Sequence, residues 1–168
     1  MIAMRSMRVI AAILSVITLL ASGCGWSPAG PEHAGPVTCA DADGPSADTV
    51  ARSIAGVAPL SEGAQWTETG RGNTRDCRLY WVQIDSTDAT ASTPGQVLFF
   101  DHNTYLGTPT PNPKPYITVL ETGQDTITIQ YQWLQGNEPN CCPTGIGSVR
   151  FAIGDDGRLQ ALDPIPNQ

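Results

Sequence analysis

Cys39, Cys77, Cys141 and Cys142 are the residues whose type and number could do chemistry here, and in an oxidising compartment four thiols in a small domain point to two disulfides. Four cysteines permit three pairings. The one that joins Cys141 to Cys142 closes an eight-membered ring across a peptide bond that prefers to be planar and trans, and it is disfavoured on that ground. The other two both tie the N-terminal region and the Cys77 region to the Cys141-Cys142 corner. Closing loops of that length stabilises by roughly 3–5 kcal/mol in the chain-entropy picture. A four-thiolate zinc site would need ligand pairs such as Cys-x-x-Cys, and the sequence has none. A redox-active dithiol needs a low-pKa thiolate at a helix N-terminus, whereas Cys141 and Cys142 precede Pro143 in a turn-like run.

Other catalytic patterns fail on inspection. The nearest approach to a serine nucleophile elbow, Gly145-Ile146-Gly147-Ser148, lacks the final glycine and leads into a strand instead of a helix. Asp41-Ala42-Asp43-Gly44 looks like part of a calcium loop. Aligning Gly44 with the loop glycine, however, places Cys39 at the first ligand position and Val50 where a bidentate Glu belongs. No glycine-rich phosphate loop occurs, and of the two histidines, His33 and His102, the second sits in a polar turn. No catalytic, cofactor-binding or metal-binding residue is expected. The leading reading is a non-enzymatic protein that binds an envelope lipid, a glycan or a protein partner. The alternative is a hydrolase of envelope polymers that works through two carboxylates, because such pairs meet in space and leave no mark in sequence.

The fifth cysteine has different neighbours. Arg5 and Arg8 precede an apolar stretch from Val9 to Leu20 and the small residues Ala21, Ser22 and Gly23, the order of a secretory signal peptide. The stretch is too short for a helix crossing a hydrocarbon core about 30 Å thick. Cys24, directly after Ala-Ser-Gly, sits as in a bacterial lipobox, with Leu20 one position further upstream than usual. Its thiol would take diacylglycerol before cleavage and leave Cys24 as an acylated, palmitate-bearing N-terminus. Two or more chains anchor stably, each buried methylene adding about 0.8 kcal/mol.

Loss of residues 1–23 discards two of the 9 basic residues and none of the 16 acidic ones. The mature chain is therefore strongly acidic, and acyl chains on Cys24, not a basic patch, would hold it to anionic lipid. The same lack of basic surface argues against a nucleic-acid partner. Residues 24–37 read as a flexible tether and 38–168 as one globular domain. The expected location is the extracytoplasmic face of the cell membrane.

The elements that must position these residues are legible from periodicity. Val50, Ala51, Ile54 and Val57 recur at helical spacing from Pro45 to Val57, with Gly44 or Ser46 as cap and Asp41, Asp43 and Asp48 clustered at the positive end. Beyond Leu60 the chain breaks into short β-like runs. Trp66 to Thr69 and Arg78 to Ser86 come first, the second with little alternation, as in a strand covered on both faces. Gln96 to Phe100 and Thr104 to Leu106 flank an Asp-His-Asn turn. Thr108 to Pro115, with proline at every second position, should be an extended, polyproline-like connection.

Tyr116 to Glu121 and Thr126 to Leu134 follow. In the latter Ile127, Ile129, Tyr131 and Trp133 alternate with polar residues, so one face is buried. Ser148 to Ile153 and Arg158 to Leu162 meet at an Asp-Gly hairpin turn. The fold class expected is α+β, mainly β: an antiparallel β-meander sheet with one N-terminal helix packed on it, tied by disulfides. Trp66, Trp81, Phe99, Phe100, Tyr105, Tyr131 and Trp133 could supply a binding face, although core packing is the default use of strand aromatics.

Several strings in this framework resemble the actinobacterial LppP/LprE lipoprotein family. They are the lipobox around Cys24, Thr74-Arg75-Asp76-Cys77-Arg78-Leu79, Gln96-Val97-Leu98-Phe99-Phe100, Pro113-Lys114-Pro115-Tyr116 and Cys141-Cys142-Pro143-Thr144-Gly145. The resemblance spans roughly Thr38 to Pro166 and implies an envelope-anchored lipoprotein. None of these motifs is catalytic, so it carries over no active site.

Overall fold

The structure, a computed structural model, describes residues 38–166. The expected signal segment 1–23 and tether 24–37, with Cys24 and His33, lie outside the described residues.

After a single 3-10 turn at Asp41–Asp43, helix α1 spans Ala47–Ala55. Its start is set by Ser46, whose Oγ accepts the Thr49 N–H at 3.2 Å and so occupies one of the amide donors a helix start leaves free. Helical spacing puts Val50, Ile54 and Val57 on one stripe, which lies on Tyr80, Val82, Ile84, Leu98 and Phe100. Those five come from the inner strands of a sheet ordered β1 (Trp66–Asn73), β2 (Leu79–Ser86), β3 (Gln96–Asp101), β4 (Thr104–Gly107), all antiparallel.

The predicted single meander is in fact two. β5 (Thr118–Thr122), β6 (Ile127–Trp133), β7 (Gly145–Ile153) and β8 (Leu159–Ala161) form a second antiparallel sheet in chain order. Pro109, Pro111, Pro113 and Pro115 cannot donate to a ladder, so β4 and β5 do not continue one sheet and the chain passes to the second. That connection also departs from the extended form expected of it. It bends through residues 109–112, and Lys114 then makes a two-bond bridge to Gly95, both bonds at 3.0 Å. The buried Gln96 amide anchors the bend by donating to the Thr110 carbonyl at 3.0 Å.

The two sheets pack face to face. Leu79, Val97 and Phe99 of the first meet Ile127, Ile129, Tyr131, Val149 and Phe151 of the second, with the Phe99 and Phe151 rings 5.4 Å apart. The layers are thus helix, sheet, sheet, and β2 and β3 lie in the middle one. This accounts for the missing alternation in β2 and for a β3 buried from Gln96 to Phe100. In β6 the alternation holds, Ile127, Ile129 and Tyr131 being buried and the polar residues between them partly exposed.

Arg150 of β7 grips Asp163 beyond β8 through its backbone N–H (3.0 Å), Nε (2.9 Å) and Nη2 (2.9 Å). These bonds hold the Asp163 carboxyl down at about 2, against about 3.9 for an aspartate in an unfolded chain. A depressed carboxyl contributes stability above its unfolded value and loses it as pH falls toward the folded one. Asp163→Asn should therefore flatten the acid-side fall in Tm between about pH 4 and 2, and the Asp163 carboxyl resonance should titrate at the bottom of that window. An ordinary aspartate titration would show that the grip does not form in solution.

Candidate functional site

Ahead of α1, residues 38–46 form a strap over the end of β1 and β2. One end is fixed at Cys39, which lies at disulfide distance from Cys77, Cα atoms 5.5 Å apart. Cys77 sits in the β1–β2 turn with φ +59, a left-handed conformation that a side chain rarely takes. The turn imposes it. Thr74, wholly buried, bonds Asp76 Oδ1 at 2.5 Å, accepts the Leu79 N–H at 3.1 Å, and its carbonyl takes the Cys77 N–H at 3.0 Å. Arg75 and Asp76 then donate their N–H groups to the Gly123 and Gln124 carbonyls in the β5–β6 turn. The string Thr74 to Leu79 is thus a knot joining the two sheets and the strap.

The other end of the strap is held by the β3–β4 hairpin. His102 Nδ1 lies 3.0 Å from the Asp43 carbonyl, and Asn103 Oδ1 accepts the Ser46 N–H at 2.8 Å. His102 sits in a polar turn, as its composition suggested, and acts there as a strut. Asp41-Ala42-Asp43 is the 3-10 turn itself, with Asp43 accepting the Ala40 N–H.

Between strap and sheet lies a cavity of about 250 Å³ lined by Asp41, Pro45, Arg71, Asn73, Tyr80 and Val82 among others. Strand register places Asn73 opposite Tyr80 and Arg71 opposite Val82, so all four project from the face that α1 covers. The Tyr80 ring lies so close to Gly44 that a Cβ there would come within 2.8 Å of it. Tyr80 is only 7 % exposed, and its hydroxyl has no hydrogen-bond partner among the described residues. Burial, and then the Asp43 and Asp76 carboxylates, push the phenol above its ordinary pKa. Arg71 is half-engaged: its Nε and Nη2 bind Glu68 at 2.5 and 2.6 Å. Asn73 spends Nδ2 on the Thr74 carbonyl and Cys39 Sγ, both at 2.8 Å, which leaves Oδ1 as an acceptor. No partner of the Asp41 carboxylate occurs among the described residues.

Its lining is mixed, polar and apolar, and Asp41 is the acidic residue among those that line it. A second cavity of about 390 Å³, bordered by Thr69, Asp85, Thr90, Thr93 and Tyr116, likewise holds one acid, and Asp85 there accepts the Thr69 hydroxyl at 2.6 Å. Among the described residues no group of His, Cys, Asp and Glu could hold a metal ion.

The cysteine pairing departs from expectation. Cys39 and Cys77 find each other, which leaves Cys141 and Cys142 as the vicinal pair that ring geometry disfavoured. The reason is distance along β6. The Cys77 turn bonds to the β5–β6 turn at one end of that strand, whereas Cys141 and Cys142 lie in the β6–β7 connection at the other, about 20 Å away at the rise of a strand. Their loop is tied by Glu138, which accepts the Gln135 and Thr144 N–H groups at 2.8 and 3.1 Å as well as the Thr144 hydroxyl. These bonds lower the Glu138 pKa.

Of the aromatics named from sequence, Phe99, Phe100 and Tyr131 are core. Trp133 covers Gly145, where a Cβ would come within 2.4 Å of the indole nitrogen, and Trp81 covers Gly72 in the same way at 2.8 Å. Tyr80, Asn73 and Arg71 had no signal in the sequence, because one tyrosine among the five hydrophobic residues of a strand does not announce an unpaired hydroxyl.

Fold and site define a small antiparallel β-sandwich that carries a strapped socket at one edge. Residues 71–156 match the family described as LppP/LprE lipoprotein, and the chain belongs to that family. It is 58% identical over 153 residues, 91% of this chain and 87% of theirs, to the lipoproteins named LppP of Mycobacterium tuberculosis and Mycobacterium bovis. No solved structure matches it.

Proposed function

We propose that the protein is a non-enzymatic envelope lipoprotein, held to the cell membrane by acyl chains on Cys24, with residues 24–37 as tether and the sandwich as a ligand-binding module on the extracytoplasmic face. The observation that carries the binding half is the cavity under the strap, whose walls are pinned at both ends by Cys39 and by His102 and Asn103. Membership of a lipoprotein family supports the anchor. So does a Cys39–Cys77 pair at disulfide distance, which suits an oxidising compartment. Among the described residues no helix is long and apolar enough to cross a membrane.

A carboxylate hydrolase would need two acids converging on one bond, about 5–10 Å apart. Asp41 and Asp85 stand singly in their cavities, which favours binding over that alternative.

The test is metabolic labelling of the full-length protein with an alkyne analogue of palmitate in a bacterium that processes lipoproteins. Wild type should be labelled and enter the detergent phase on Triton X-114 partition. Cys24→Ala should lose the label entirely and leave that phase. Equal labelling of the variant, or an unlabelled wild type, overturns the anchor.

A further inference from the structure

Cys141 and Cys142 are the cysteines that the fold does not use to tie distant segments together. Cys39 and Cys77 lie at disulfide distance from each other, so among the described residues each member of the adjacent pair has its neighbour as partner. Both Cys141 and Cys142 are exposed, whereas Cys39 and Cys77 are part-buried. We propose that Cys141 and Cys142 form a solvent-facing dithiol/disulfide couple, a site that takes two electrons from a dithiol protein while Cys39–Cys77 stays closed.

Three features support it. The first is access: exchange requires a thiolate to reach a disulfide sulfur, and two exposed cysteines allow that approach. The second is thermodynamic. A bridge between neighbours encloses no loop, so opening it returns almost no entropy to the unfolded chain and leaves the stability of the fold where it was. Opening Cys39–Cys77 instead frees a loop whose ends are 38 residues apart. The third is the frame around the pair. Glu138 accepts the Gln135 and Thr144 N–H groups and the Thr144 hydroxyl, the Cys142 N–H donates to the Pro139 carbonyl at 3.0 Å, and the Tyr116 hydroxyl donates to the Asn140 carbonyl. None of these bonds uses sulfur, so the loop keeps its place in both redox states and the couple can cycle.

The turn-like run before Pro143, which argued against a low-pKa thiolate, is no obstacle to this role. The nucleophile belongs to the donor, and the pair is the disulfide under attack. A donor thiolate bonds to one of the two sulfurs as the Cys141–Cys142 bond breaks, and the released cysteine thiolate takes a proton from solvent. The donor's second thiolate then attacks the donor sulfur of the mixed disulfide and expels the other cysteine, which is protonated in turn. The donor dithiol gives up two electrons and two protons and ends as a disulfide, and the pair gains both. The exchange oxidises one donor per chain, and it goes beyond the binding-module reading without depending on it.

The experiment uses full-length protein in a nonionic detergent, with acylation of Cys24 checked by intact mass so that its sulfur is blocked. After treatment with oxidised glutathione, the protein is titrated with dithiothreitol or incubated with reduced thioredoxin, a dithiol protein. Free thiols are trapped with N-ethylmaleimide and located by peptide mapping. Half-labelling of Cys141 and Cys142 should need at least about a hundredfold less dithiothreitol than half-labelling of Cys39 and Cys77. The selectively reduced protein should keep its Tm, and oxidised glutathione should close the pair again. Wild type should oxidise an equimolar amount of thioredoxin, and the double variant Cys141→Ala with Cys142→Ala should oxidise none. The proposal is overturned if Cys141 and Cys142 remain thiols in oxidised glutathione, if both pairs open at the same dithiothreitol concentration, or if wild type and the double variant treat thioredoxin alike. A chain found unacylated overturns the anchor and not this site, which the same titration of Cys24→Ala then reports.

Discussion

Phe99→Ala should cost about 3–5 kcal/mol, a large part of the 5–15 kcal/mol by which a domain of this size is stable. Phe99 is wholly buried in β3, at the interface where both sheets deposit their inner side chains, and its ring contacts Phe151 from the opposite sheet. Loss of the ring removes the transfer energy of a large apolar group. It also opens a cavity that two hydrogen-bonded sheets cannot collapse to fill. Phe99→Leu, which keeps most of the volume, should cost clearly less. Tyr105→Ala, at a residue 41% exposed on β4, should cost less again, although its ring borders Phe100. Guanidinium unfolding of the three variants checks the ranking. A cost below about 1 kcal/mol for Phe99→Ala would mean that the sheets do not share a core.

Much of that architecture was legible in the sequence because strands write their burial into their periodicity. β6 alternates since only its inner face meets the other sheet, and β2 does not because α1 covers one side of it and the second sheet the other. The helix announced itself through the spacing of Val50 and Ile54 and through two cap candidates, Gly44 and Ser46, of which Ser46 is the one used. The division into two sheets was less legible. Four alternating prolines say that no ladder forms between residues 108 and 115, but not whether the chain resumes the same sheet on the far side. The socket was not legible at all. Its residues come from three separate segments that only the folded chain brings together. The family motifs showed the reverse weakness: Thr74 to Leu79 stood out in sequence, and it proves to be a knot between sheets.

The cysteines are where the structure departs from the pairings the sequence argument favoured, and they give the sharpest second test. Cys39 and Cys77, at disulfide distance, are separated by 38 residues, and a bridge closing a loop of that length removes about 4 kcal/mol of unfolded-chain entropy. The Cys141–Cys142 pair, one residue apart, encloses no loop worth counting. The double variant Cys39→Ala with Cys77→Ala should therefore lose about 4 kcal/mol in unfolding experiments, and Cys141→Ala with Cys142→Ala close to nothing from this source. The alternative pairings predict a different pattern: if Cys39 or Cys77 were bridged to the Cys141-Cys142 corner, both double variants would open long loops and both would lose comparable stability. A non-reduced tryptic map gives the same discrimination covalently, since Arg71, Arg75 and Arg78 isolate Cys77 on a short peptide. That peptide should appear joined to the one that carries Cys39. Recovery of it joined to Cys141 or Cys142 would detach the strap, and with the strap goes one wall of the socket.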